Sequence, residues 1–179
     1  MDERPVTTLE QLTEIVGEPL PRVRDKVRTH LTDVDRRWLA ATPFVVVATS
    51  AADGSVDASP KGDPAGSLVH VLDERTVAIA ERPGNRRVGG RARLVADAPW
   101  FDDLVVRGHR PVLALVVEVE EVFHHCAKAF LRSGLWEPQT WQPDAVESRA
   151  EIAHALERPE DSVEELREYY GERYAQQLY

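Results

Sequence analysis

The densest chemistry in this sequence lies between Arg82 and Arg93, where five arginines (Arg82, Arg86, Arg87, Arg91 and Arg93) stand with no acid among them. Upstream, Ser59-Pro60-Lys61-Gly62-Asp63 sets a hydroxyl and an ammonium at the end of a strand-like run. Fork-shaped guanidinium donors, a point charge and a hydroxyl at close range are what a phosphate monoester needs. Gly62 and Gly84 would let backbone approach such a ligand. The same residues also read as a solvated arginine face on an edge strand. The run from Gly84 to Arg91 superficially follows a P-loop, but Gly90 stands where the lysine belongs and Arg91 where Ser or Thr binds magnesium. Nucleoside triphosphate chemistry is therefore rejected.

Other residues offer weaker chemistry. His124-His125-Cys126 suggests a metal site, yet consecutive side chains diverge on a strand or a helix, and His30, His70, His109 and His154 are scattered. A structural or polar-pocket role is the expectation there, with no metal. Cys126 lacks a nucleophile's flanking signature and reads as a small buried hydrophobe. Lys128, Arg132 and Trp136 follow at near-helical spacing; two cations and a flat aromatic can clamp an aromatic anion, or the Trp can simply pack into its own domain. Asp57, Asp63, Glu118 and Glu120 supply carboxylates, but no spacing ties two of them into an acid/base pair.

The elements that must position these residues are legible from period and punctuation. The first forty or so residues read as helices, with helix starts at Thr8 and at Thr32 followed by Asp35, and with Val34, Trp38 and Leu39 as a buried stripe. Phe44 to Thr49 is an apolar β-branched run that turns at Asp53-Gly54 into Val56 to Ser59. Leu68 to Leu72 and Arg75 to Ala80 make a second pair joined by Asp73-Glu74. Arg91 to Val95 alternates as a strand, Pro99 to Arg107 is a short helix, and Pro111 to Val122 is the longest apolar run. Cys126 to Leu131 is a short helix, Trp136 to Pro143 a loop, and the Ser162-to-Tyr179 segment is helical from a capping-box start. Hairpins in series with helices outside them argue for a mainly β, α+β antiparallel barrel rather than a doubly wound sheet. The expectation is one domain over 1–179, with N-terminal helices to about 42 and a C-terminal helical segment over about 124–179.

Length and charge bound the function. A chain of 179 residues, 42% hydrophobic and 30% charged, has enough apolar side chain for a core. Its net charge of −9 disfavours general nucleic-acid binding. One cysteine excludes an internal disulfide, and no run approaches the roughly 20 apolar residues of a membrane helix. No basic-then-apolar leader is visible at Met1 to Pro5, so the expectation is a cytoplasmic protein without a membrane partner.

Together, Pro43 to Ser50, Asp53-Gly54, Asp57 to Pro64 and Arg82 to Arg87 resemble the pyridoxamine 5′-phosphate oxidase-related family. Gly90 to Leu94, His125 to Ala129 and Leu135-Trp136 extend the match, which covers most of the chain from about Leu31 to Trp136. The resemblance implies a split antiparallel β-barrel of the FMN-binding type, a homodimer, and FMN-dependent hydride transfer from a small-molecule donor. It implies that Ser59, Lys61, Asn85, Arg86 and Arg87 hold the FMN phosphate with help from Arg82. It places Lys128 and Trp136 near the flavin ring, from the partner subunit. It names no catalytic residue. Relatives that use a deazaflavin or haem on the same fold, and a non-catalytic flavin-binding or sensing module, are the alternatives. The chain departs from the family after Val88, where Gly89 follows directly and a strand pair's worth of residues is absent. That departure implies either a shortened member or a missing internal segment.

Overall fold

The structure is a computed structural model that describes residues 5–18, 20, 21, 25–82 and 92–176. Asn85, Arg86, Arg87 and the junction at Val88 lie outside the described residues. The chain divides into two compact units, Met1–His124 and His125–Tyr179. It is a mixed α+β protein whose described strands form two antiparallel sheets.

The first unit opens with α1 (Leu9–Val16), capped by the Thr8 hydroxyl accepting from the Gln11 amide. Next comes α2 (Asp33–Ala41), where the Asp35 carboxylate accepts from the Thr32 amide and hydroxyl. Of the apolar stripe expected on α2, Leu39 is half-buried but Val34 and Trp38 are not. Val34 is 52% and Trp38 65% exposed, and the buried residue is Asp35. The face turned inward follows a charge partner, described below, rather than hydrophobic spacing.

Six strands follow where the period-2 and apolar runs put them. β1 (Phe44–Ser50) and β2 (Val56–Gly62) form a hairpin in which Lys61 lies opposite Val45 and Ser59 opposite Val47. Its turn needs Gly54 at φ +86°, a conformation that a Cβ penalises, and the Asp53 carboxylate accepts from the Ser55 amide. β3 (Val69–Val71), β4 (Thr76–Glu81), β5 (Arg93–Val95) and β6 (Leu113–Glu118) form the second sheet in the order β3-β4-β6-β5.

Alternation divides that sheet into two faces. On one, the cross-strand partners Ala78 and Val116, and Ala80 and Ala114, are buried. His70 on the same face stacks on Trp100 of a 3-10 turn over Pro99–Leu104, which also buries Phe101 and Leu104. Small residues at 78, 80 and 114 let that turn approach the sheet closely. On the other face stand Ile79, Leu115 and Val117, and the same alternation puts Glu81 with them.

The second unit holds α3 (Lys128–Ser133), two 3-10 turns (Pro138–Thr140 and Pro143–Ala145), α4 (Arg149–Leu156), α5 (Val163–Tyr169) and α6 (Glu172–Gln176). The first 3-10 turn lies in the stretch expected as loop, and the second begins at the end of that stretch. Ser148 and Ser162 start α4 and α5 with reciprocal capping boxes to Glu151 and Glu165. Ala150, Ala153 and Leu166 form its core, with Val163 and Tyr170 packed against them.

Candidate functional site

The Ser-Pro-Lys-Gly-Asp run at the end of β2 and the Glu81-Arg82 pair at the end of β4 are about twenty residues apart in the chain, and the fold brings them together. Lys61 Nζ lies 3.0 Å from Glu81 Oε1 and 3.1 Å from Oε2, and donates to Ser59 Oγ at 2.9 Å. Both charged side chains are almost wholly buried, at 3% and 2% exposure. Arg82 Nε donates to Asp63 Oδ2 at 2.9 Å, and its other nitrogens donate to the carbonyls of Leu104 and His109. Two cations and two carboxylates thus form two ion pairs with no net charge.

This arrangement decides what these residues can do. The Lys61 ammonium is matched by Glu81, so it is poorly suited to serve as a base that would activate the Ser59 hydroxyl. Arg82 has every guanidinium nitrogen committed to an acceptor. A phosphate dianion placed against the quartet would meet Glu81 and Asp63 as well as the two cations. Lys61 and Arg82 therefore do not fit as the grip on an FMN phosphate; they brace the root of the arginine-rich segment that starts at Arg82. Ser59 does fit, since its oxygen accepts from Lys61 and its proton remains to be donated. Asp63 and Glu81 are the members that sequence reasoning missed as partners, and the only local signal for them is the adjacency of Glu81 to Arg82.

The first unit also holds a cleft of about 720 Å³. Val46, Val47 and Ala48 of β1 form one wall, and Ile79, Leu115 and Val117 of the second sheet form the other. Glu118 and Glu120 also line it. The quartet stands toward the end of this wall where β4 finishes, and the two glutamates stand toward the opposite end, where β6 finishes.

A second buried carboxylate organises the first unit. Asp35 accepts from the Arg28 guanidinium, from the Thr32 amide and hydroxyl, and makes a 2.9 Å hydrogen bond with His124 Nε2. The Arg28 guanidinium, against the opposing effect of burial, holds its acid far below the ordinary carboxylate range, with Thr32 and His124 adding to the effect. His124 also meets Trp38 edge to face at 5.6 Å. This gives His124 a structural partner, in line with the expected role. Among the described residues no group of His, Cys, Asp and Glu is placed to hold a metal ion. Cys126 is exposed, contrary to its expected burial.

Lys128 and Trp136 fall in the second unit. Lys128 opens α3 on the surface, and Trp136, 74% exposed, stacks on Phe130 at 5.8 Å. Trp136 thus packs against its own unit while leaving most of its ring to solvent. Among the described residues no helix is long and apolar enough to cross a membrane. Compared with protein-family models, with curated proteins and with solved structures, the chain matches none.

Proposed function

We propose that this chain is a cytoplasmic FMN-binding oxidoreductase of the pyridoxamine 5′-phosphate oxidase-like class, built on a split β-barrel and working as a homodimer. The observation that carries the reading is convergence. The Ser59-to-Asp63 motif is joined to Glu81 and Arg82 by two ion pairs, so the hydroxyl lies near the residue at which the arginine-rich run begins. In this proposal Ser59, Asn85, Arg86 and Arg87 bind the phosphate, while Lys61 and Arg82 hold the frame. Lys128 and Trp136 of a second copy flank the ring. The exposed apolar face of the hairpin, with Phe44, Val46 and Val56 all more than half exposed, favours a second copy over a monomer. A bound flavin would supply the redox chemistry, and the protein its binding and orientation.

Titration with FMN, followed by quenching of flavin fluorescence, tests this. The expected result is one flavin per chain, with Arg86→Ala or Arg87→Ala weakening affinity by about 1.5–3 kcal/mol each through loss of a charged hydrogen bond. Absence of FMN binding, or arginine variants that bind like the parent, overturns the reading. The alternative of a non-catalytic flavin-binding module is separated by turnover: a loaded protein that reduces no acceptor with any reductant supports it.

A further inference from the structure

Among the described residues β1 has one partnered edge and one open one. It pairs only with β2, and the ladder is fixed at both ends, where the Ala51 amide donates to the Ser55 carbonyl and the Asp63 amide to that of Pro43. Bonded and non-bonded pairs alternate along an antiparallel ladder. Val45, Val47 and Thr49 therefore bond to β2, while the N–H and C=O groups of Val46, Ala48 and Ser50 point away from it. Among the described residues those outward groups meet no backbone partner. The outer edge of β2 is blunted by Pro60, which lies opposite Val46 and has no N–H to offer. β1 carries no such protection, for Phe44 to Ser50 holds no proline, no glycine and no charge. An edge of this kind is a template for another strand. The cleft runs along it: the consecutive residues Val46 to Ser50 all line the cleft, and consecutive side chains point to opposite faces. Across from the edge stand Ile79, Leu115 and Val117. Leu94, paired with Leu115 on the same side of the second sheet, is 51% exposed, so that apolar wall is incompletely covered.

We propose that the open edge of β1 binds an extended peptide segment of a partner protein, added as a third strand to the hairpin. The backbone groups of Val46, Ala48 and Ser50 hold it. At roughly 3.4 Å per residue the edge from Val46 to Ser50 is about 17 Å long, which matches a segment of about five residues. At about 720 Å³ the cleft lies in the range that holds a small ligand, room for one segment but not for a second folded sheet. Side chains of an added strand follow the pleat of β1, whose Val45, Val47 and Thr49 are half-buried and whose Phe44, Val46 and Ala48 are exposed. The segment therefore alternates apolar residues, set against the second sheet, with polar ones facing water. The inference stands on the strand edge and does not require flavin.

The test titrates the full chain with a fluorescein-labelled peptide of about five alternating valine and threonine residues between terminal lysines, read by fluorescence anisotropy. The control is the same peptide N-methylated at each valine and threonine amide, which keeps the side chains and removes the donors. The first peptide binds at one site per chain, and the second binds about tenfold more weakly or not at all. Ala48→Pro deletes an outward N–H without touching the ladder to β2, and weakens the first peptide by a similar factor. If that variant does not fold by circular dichroism, the N-methylated peptide decides alone. No binding, equal affinity for the two peptides, or a folded Ala48→Pro chain that binds like the parent overturns the inference. So does a parent chain that binds no peptide but forms a dimer that Ala48→Pro splits, because a second copy then covers the edge. FMN binding is measured separately, so either reading can fail while the other stands.

Discussion

Replacing Lys61 by Met separates a brace from a ligand grip. The ammonium and the Glu81 carboxylate are 3.0 Å apart, and both side chains are almost completely removed from water. At an effective dielectric near 20 the attraction across that gap is about 5–6 kcal/mol, and desolvation of the two ions offsets several kcal/mol for each. The net worth of the pair is therefore small, but the cost of breaking it is large. Lys61→Met leaves Glu81 charged and buried without its ion-pair partner, so unfolding free energy should fall by about 3–5 kcal/mol. Adding Glu81→Leu removes the stranded charge, and the double variant should return to within about 1 kcal/mol of the parent or exceed it. Urea unfolding followed by tryptophan fluorescence measures all four species of the cycle, with Trp38 and Trp100 reporting the first unit. If Lys61→Met costs less than about 1 kcal/mol and the two substitutions are additive, the reasoning fails. Lys61 would then be independent of Glu81 and available to a phosphate.

Two further outcomes follow from groups outside the quartet. The Asp35 acid is depressed in the folded state, so it binds fewer protons there than in the unfolded chain, whose value is about 3.9. The stability it confers is complete above that pH and declines as pH falls below it. Asp35→Asn should flatten the loss of Tm between about pH 4 and 2, and should lower Tm at pH 7 by removing the carboxylate that Arg28 and Thr32 donate to; parallel slopes for the two proteins refute the assignment. Ser162→Ala, which deletes the cap accepting from the Glu165 amide, should cost about 1 kcal/mol, while Ser162→Gly costs only a few tenths, as thermal unfolding would show; equal losses would mean that the hydroxyl does not cap α5.

The local features were legible in the amino-acid order. The apolar run at Phe44, the Asp53-Gly54 turn and the Ser162–Glu165 cap each depend on residues within a few positions of one another. Period and punctuation report such interactions directly. The helix α4 over Arg149–Leu156 carries a weaker signal. Its apolar residues are mostly alanine with a single Ile and Leu, and only the Ser148–Glu151 capping pattern marks its start. The two 3-10 turns between Pro138 and Ala145 are short enough to read as loop.

The site was legible in its residue types and not in their partners. Ser59, Lys61 and Arg82 stand out by chemistry, but the sequence alone presents Lys61 and Arg82 as available cations. Glu81 meets Lys61 across twenty positions, Asp63 meets Arg82 across nineteen, and His124 meets Asp35 across eighty-nine. Those encounters depend on β4 pairing with β6 and on where the hairpin lies against that sheet, which no local window encodes. The inward turn of α2 has the same origin: hydrophobic spacing favours Val34 and Trp38, yet Asp35 is buried where it pairs with Arg28 and accepts from Thr32. Side-chain type is a property of one position, whereas charge compensation belongs to a pair. Only the folded chain decides which pairs exist.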